Sequence, residues 1–185
     1  MGMNLYQAAL DELGGTFARL DDAAVDAVVE RLASARRIVV FGGGREKLQI
    51  MGFAMRMFHM GLAAAVEGDM TTPAVGKGDV FLLTCGPGYI STAEALMGVA
   101  RAAGAEVIMI TAQPKGRCAP LADMILHLPA QTMADDQGDR ASSVLPMGSL
   151  FEGALFVLFE VMVLKLKAQL GITSEAMRAN HTNLE

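Results

Sequence analysis

The sequence predicts an α/β fold, a three-layer α/β/α sandwich around a five-stranded parallel sheet. Three observations carry this. Short apolar runs alternate with helical stretches of roughly 10 to 15 residues, the pattern of βαβ units whose strands run parallel. Two of those runs end directly in glycine turns, 42–44 and 86–88, each followed by a helix. The chain is 185 residues long, enough to bury a core within one domain spanning 1–185.

Asn4 to Leu20 and Asp22 to Arg36 read as two leading helices within 1–36, with Asp21 or Asp22 as the N-cap of the second. Ile38 to Phe41 is a β-branched run that closes on three glycines. Leu48, Met51, Met55 and Phe58 then recur at helical spacing and predict an amphipathic helix. "LAAAVEG" and "DVFLLT" read as buried strands, separated by the loop "DMTTPAVGKG". Ser91 to Ala103 is helical, and "EVIMIT" and "DMILHLP" are strands. A polar stretch leads into a long apolar helix from Ser149 to about Gln169, and a tail over 171–185 starts as a helix and ends exposed.

Composition excludes several classes of function. Net charge is −5 and no Lys/Arg stripe exists, so a nucleic-acid surface is not expected. The longest apolar tract, Leu150 to Leu164, is broken by Glu152 and Glu160 and is shorter than the roughly 20 residues a bilayer requires. The first residues are acidic and helical, which does not resemble a signal peptide. Cys85 and Cys118 have no CxxC spacing, and His59, His127 and His181 are scattered, so neither a metal site nor a cofactor is expected. A hydrophobic content of 52% without a membrane segment points to subunit interfaces in a cytoplasmic oligomer.

In a doubly wound sheet, ligands sit at the C-terminal ends of the strands near the switch in strand order. Both glycine turns lie there. Gly42-x-Gly44-x-x-Lys47 lacks the third glycine of a dinucleotide fingerprint, and only Glu67 stands near the expected acidic position. A plain βα turn remains open, as does a sugar-phosphate cradle built from Gly43, Gly44, Arg45 and Lys47, with Gly86 and Gly88 opposite. Ser91 and Thr92 supply hydroxyls at the following helix start, and Thr71 and Thr72 are candidate donors to a sugar. Glu152 has two readings. "SLFE" fits a capping box with Ser149, and a carboxylate at the mouth of an apolar helix is also a candidate base. His181 lies in the polar tail, where a solvated histidine is the plain alternative.

"GGGR", "FAMRMFHMG", "TTPAVGKGD", "LPMGSLFE" and "RANHTNLE" together resemble the sugar isomerase (SIS) domain family, most of all its 6-phospho-3-hexuloisomerase branch. The resemblance runs from Gly42 to the C-terminus. It implies a flavodoxin-like sheet and a homotetramer with shared sites. It also implies interconversion of D-arabino-3-hexulose 6-phosphate and fructose 6-phosphate without metal or cofactor. By that pattern Glu152 corresponds to the enolisation base, and His181 to a tail histidine that opens the ring or shuttles protons from a neighbouring subunit. The chemistry suits such a pair. Moving a carbonyl by one carbon passes through an enediolate, so a carboxylate takes the carbon-bound proton and returns it next door. A donor must meet the developing oxyanion.

The departures from the family pattern fall on the anion loops. A first turn that usually reads Gly-Arg-Ser-Gly is here Gly44-Arg45-Glu46-Lys47, and Glu46 would repel an anion unless it turns outward. A second that usually reads Ser-Gly-Ser-Gly-Glu-Thr is Cys85-Gly86-Pro87-Gly88-Tyr89-Ile90. Pro87 removes a backbone donor as well as a hydroxyl. Two alternatives follow from these losses: isomerisation of a non-standard or non-phosphorylated sugar, and a non-catalytic phosphosugar-binding SIS protein.

Overall fold

The computed structural model describes residues 4–184. The strands are β1 (Arg37–Gly42), β2 (Ala64–Val66), β3 (Asp79–Thr84), β4 (Glu106–Thr111) and β5 (Met124–His127). They form one sheet in the order β2-β1-β3-β4-β5, with every pair parallel. The helices are α1 (Leu5–Ala18), α2 (Asp22–Ser34), α3 (Glu46–His59), α4 (Ser91–Ala102), α5 (Ser149–Leu170) and α6 (Ser174–Ala179).

The strand order explains where a site can form. From β1 the chain winds to one edge through β2, and from β3 it winds to the other through β4 and β5. β1 and β3 therefore flank the switch point, and their registered partners Gly42 and Thr84 bring both glycine turns out at the same height.

Strand side chains alternate between the two faces. Ile38, Val40, Val80, Leu82, Ile108 and Ile110 pack with buried residues of α2, α3 and α5. Val39, Phe41, Phe81, Leu83, Val107 and Met109 face the other way, onto Ala93, Met97 and Ala100 of α4. Both faces are covered, so the central strands read as continuous apolar runs. The layers are unequal, because the second face carries α4 and a short 3₁₀ turn at Ala119–Leu121. On the thick side, Phe53 of α3 stacks on Phe159 of α5 with ring centroids 4.7 Å apart.

Three expectations need correction. The α3 residues read as an apolar face, Leu48, Met51, Met55 and Phe58, are exposed, and Ile50, Phe53, Ala54 and Met57 meet the core instead. "LAAAVEG" yields a three-residue, half-buried strand because it lies at the sheet edge. Ser149 does not cap α5. The N-cap is Gly148 in the left-handed region, with no side-chain cap bond. The second helix is capped by Asp21, whose carboxylate accepts from Ala23 N–H at 3.1 Å.

Candidate active site

β1 leaves the sheet at Gly42, turns through Gly43 to Arg45 and enters α3 at Glu46. β3 leaves at Thr84 and turns through Gly86-Pro87-Gly88 toward α4. Between these turns and the first turn of α5 lies a cavity of about 370 Å³. Gly43, Gly44, Arg45 and Glu46 line one side, Pro87 and Ile90 another, and Gly148, Phe151 and Glu152 a third, with Thr132, Met133 and Met147 closing it.

Glu152 reaches this cavity because α5 begins there, opened by two consecutive left-handed residues, Met147 (φ 53°) and Gly148 (φ 76°). Its side chain is 12% exposed, and Arg45 Nη2 lies 3.1 Å from Oε2 as an ion pair. Arg45 Nη1 also donates to Ser149 Oγ at 3.3 Å. Among the described residues, Glu152 Oε2 accepts no aligned hydrogen bond, so a buried lone pair faces a charge without being tied to one donor. Freed from capping duty, Glu152 is a carboxyl group beside a cation at the wall of a cavity.

Glu46 turns inward and is buried. Both its oxygens lie within reach of Gly86 N–H, at 3.1 and 3.2 Å. A Cβ on Gly86 would stand 2.7 Å from Glu46 Oε1 and 2.9 Å from Phe151 Cε1, so the close approach of these groups requires glycine there. Burial pushes the Glu46 carboxyl up to about 7. The Gly86 N–H and the Thr84 hydroxyl pull it back, and the negative charge of Glu152 adds to the rise. No salt bridge reaches Glu46 among the described residues, unlike Glu152.

The other candidate residues divide by position. Gly43, Gly44, Arg45 and Glu152 share the cavity wall. Gly86 and Gly88 shape the second turn without lining it. Cys85 is fully buried on the α4 side, beside Cys118, and its thiol is pushed up by burial first and then by Cys118. Lys47 points toward the end of β2 and donates to Glu67 O at 3.0 Å. Ser91 and Thr92 open α4 on its exposed surface. Thr71 and Thr72 line a separate hollow with Arg37 and Ala63–Ala65, and the Thr72 hydroxyl is spent on Val66 O and Asp69 O at 2.6 and 2.7 Å. His181 follows α6, which packs on the far end of α3. Asn180 Nδ2 donates to His59 O at 3.0 Å, and the rings of His181 and His59 lie 5.1 Å apart. With Glu46 at one end of a 14-residue helix and His59 at the other, the ends are separated by about 20 Å. Glu152 and His181 of one chain are therefore not neighbours.

Sequence reading passed over the buried role of Glu46 and the contribution of Thr132, Met133 and Met147. A signal existed for the first: an acid gained at position 46 accompanies a donor lost at Pro87, one on each turn. The others come from an irregular connection with no periodicity to place it. Among the described residues, no group of three or more His, Cys, Asp or Glu is placed to hold a metal ion, and no helix is long and apolar enough to cross a membrane.

Known proteins share this architecture. The chain is 31% identical over 176 residues to a 3-hexulose-6-phosphate isomerase of Bacillus subtilis, which covers 95% of each chain. It is 35% identical to one from Mycobacterium gastri, covering 95% of this chain and 87% of that one. A Methanococcus jannaschii protein, whose crystal structure was described as inferring a 3-hexulose-6-phosphate isomerase function, superposes with a TM-score of 0.83 at 24% identity. That match covers 95% of this chain and 98% of the other. Residues 31–152 match the SIS domain, and with relatives this similar along almost its whole length, the chain belongs to the SIS family of sugar isomerase domains.

Proposed function

We propose that the whole chain is one SIS domain and a cytoplasmic isomerase that moves the carbonyl of a sugar phosphate by one carbon. The favoured reaction is D-arabino-3-hexulose 6-phosphate to fructose 6-phosphate. The observation that carries this is Glu152: a carboxyl group on the wall of a sugar-sized cavity, paired with Arg45 and, among the described residues, tied to no aligned hydrogen-bond donor. The relatives' names point the same way.

In this reading Glu152 removes the proton at C3 of fructose 6-phosphate as the C2 carbonyl oxygen gains negative charge. The resulting 2,3-enediolate is reprotonated at C2 by the same carboxyl, and the C3 hydroxyl proton passes to the C2 oxygen as the carbonyl forms at C3. Arg45 meets the enediolate oxygens with a positive charge. Acting from a neighbouring subunit, His181 opens the sugar ring or moves the hydroxyl proton, a reading supported by the length of α3 between its His59 and Glu46 ends. Gly43 and Gly44 form the wall against which the sugar lies, and Gly86 and Gly88 shape the turn behind it. Lys47, Thr71, Thr72, Ser91 and Thr92 contribute only through rearrangement or contacts between subunits, and Cys85 contributes its backbone alone.

The test is exchange. In heavy water, fructose 6-phosphate incubated with the protein acquires deuterium at C3, whereas a direct hydride shift leaves C3 unlabelled. Deuterium at C1 alone would assign a different, aldose-forming isomerase.

A further inference from the structure

Glu46 is a buried carboxylate that the proton transfer above does not use, and it sits on the donor that an anion would need. The backbone donors of Gly86, Pro87 and Gly88 are all accounted for. Gly86 N–H points at Glu46, Pro87 has no N–H, and Gly88 N–H donates to Cys85 O at 2.9 Å. The turn cannot easily swivel to release one. Gly86 O accepts from Ala112 N and the Thr111 hydroxyl, and Gly88 O accepts from Cys118 N.

We propose that Glu46 is a specificity-determining residue that occupies the anion seat of the second glycine turn, so that a phosphosugar settles there only when this carboxyl is neutralised by a proton. The proposal rests on the reading of the site as a phosphosugar site and deepens it. A phosphate dianion near Gly86 N–H would meet the Glu46 carboxylate in a buried, weakly screened space, where like charges repel strongly. A protonated Glu46 reverses the contact, because its O–H then becomes a donor to phosphate.

The neighbouring charges do not supply an alternative neutraliser. From α5 comes Glu152, a second negative charge, and from the first turn Arg45, which is engaged by Glu152. From β3 come the Thr84 hydroxyl and the Cys85 thiol, the latter kept neutral by burial. Glu94 of α4 is paired with Arg117 outside the cavity wall. The raised pKa of Glu46, about 7, supplies the proton near neutrality.

The test is calorimetric titration of the wild type, Glu46→Gln and Glu46→Ser with fructose 6-phosphate and with fructose, at pH 6.5 and 8. Buffers of different ionisation heat count the protons taken up. At pH 8 the wild type is expected to take up close to one proton per fructose 6-phosphate bound, and both variants none. Glu46→Gln should bind the phosphosugar about tenfold more tightly than the wild type at pH 8 and no more than about twofold more tightly at pH 6.5. Fructose affinity should be alike in all three proteins. Equal phosphosugar affinity of wild type and both variants at pH 8, equal proton uptake, or no fructose 6-phosphate binding by any of them would overturn the proposal. Glu46→Ser gives the same answer if Glu46→Gln does not fold. The measurement needs no turnover, so absent deuterium exchange with intact Glu46-dependent binding would remove the isomerase reading alone.

Discussion

Glu46 and Glu152 share one cavity, and their surroundings differ. Glu152 lies against a guanidinium, whereas Glu46 has only a backbone N–H and a hydroxyl to offset its burial. The burial of Glu46 has a stability consequence of fixed sign. Glu46 has a folded pKa of about 7 against an ordinary 4.5, so the folded chain holds the proton more tightly than the unfolded one. That contribution is fully present below pH 4.5 and is lost as pH rises to about 7. The loss amounts to about 3 kcal/mol in order of magnitude. Glu46→Gln removes the titration. The stability of the variant relative to wild type should therefore rise by about that amount between pH 4.5 and 8, as read by urea unfolding at each pH. A difference independent of pH would show that Glu46 is an ordinary carboxylate. None of this was legible beforehand. The sequence marks Glu46 as an acid beside a glycine turn, but its direction depends on the space that Gly86 and Phe151 leave for it.

At the scale of elements, the glycine turns were the most legible feature and the helix faces the least. The turns announce themselves because glycine is the residue that tolerates their backbone and their close contacts. Gly88 has φ +75°, and a Cβ there would stand 2.6 Å from Gln113 Cβ and 3.0 Å from Gly116 Cα. Gly88→Ala should accordingly lower stability by more than about 2 kcal/mol in urea unfolding. A change under about 0.5 kcal/mol would mean that the turn is not fixed as described. α3 shows the limit of periodicity. It carries two apolar stripes, Leu48, Met51, Met55 and Phe58 on one side and Ile50, Phe53, Ala54 and Met57 on another. A 3.6-residue period identifies a helix from either stripe but does not say which one meets the sheet. The capping reading of Ser149 and Glu152 failed for a related reason. The spacing fits, but the left-handed backbone at Met147 and Gly148 starts α5 without a side-chain cap and turns Glu152 into the cavity.

At the scale of the molecule, the parallel sheet follows from the alternation of runs in the sequence, while its strand order and the completeness of the site do not. Phe58 and Phe156 are each 57% exposed and Leu164 is 66% exposed, on helices whose other faces fill the core. This is a large apolar area for one chain to leave in water. Homotetramer formation through α3 and α5 would cover it, and would let a tail from one subunit bring His181 to the Glu152 of another. Mixing inactive Glu152→Gln and His181→Ala proteins under conditions of subunit exchange should then restore activity, up to roughly a quarter of the wild type in a random mixture that pairs intact residues. A mixture as inactive as its components would exclude shared sites. The central claim is that Glu152 is the base of an enediolate isomerase, and it is tested most directly by nuclear magnetic resonance of fructose 6-phosphate in heavy water with wild type and Glu152→Gln side by side. The account predicts deuterium at C3 with the wild type and a rate at least about 10² lower with the variant, with both proteins folded. Equal exchange in the two proteins, or none at C3 with the wild type, would contradict it.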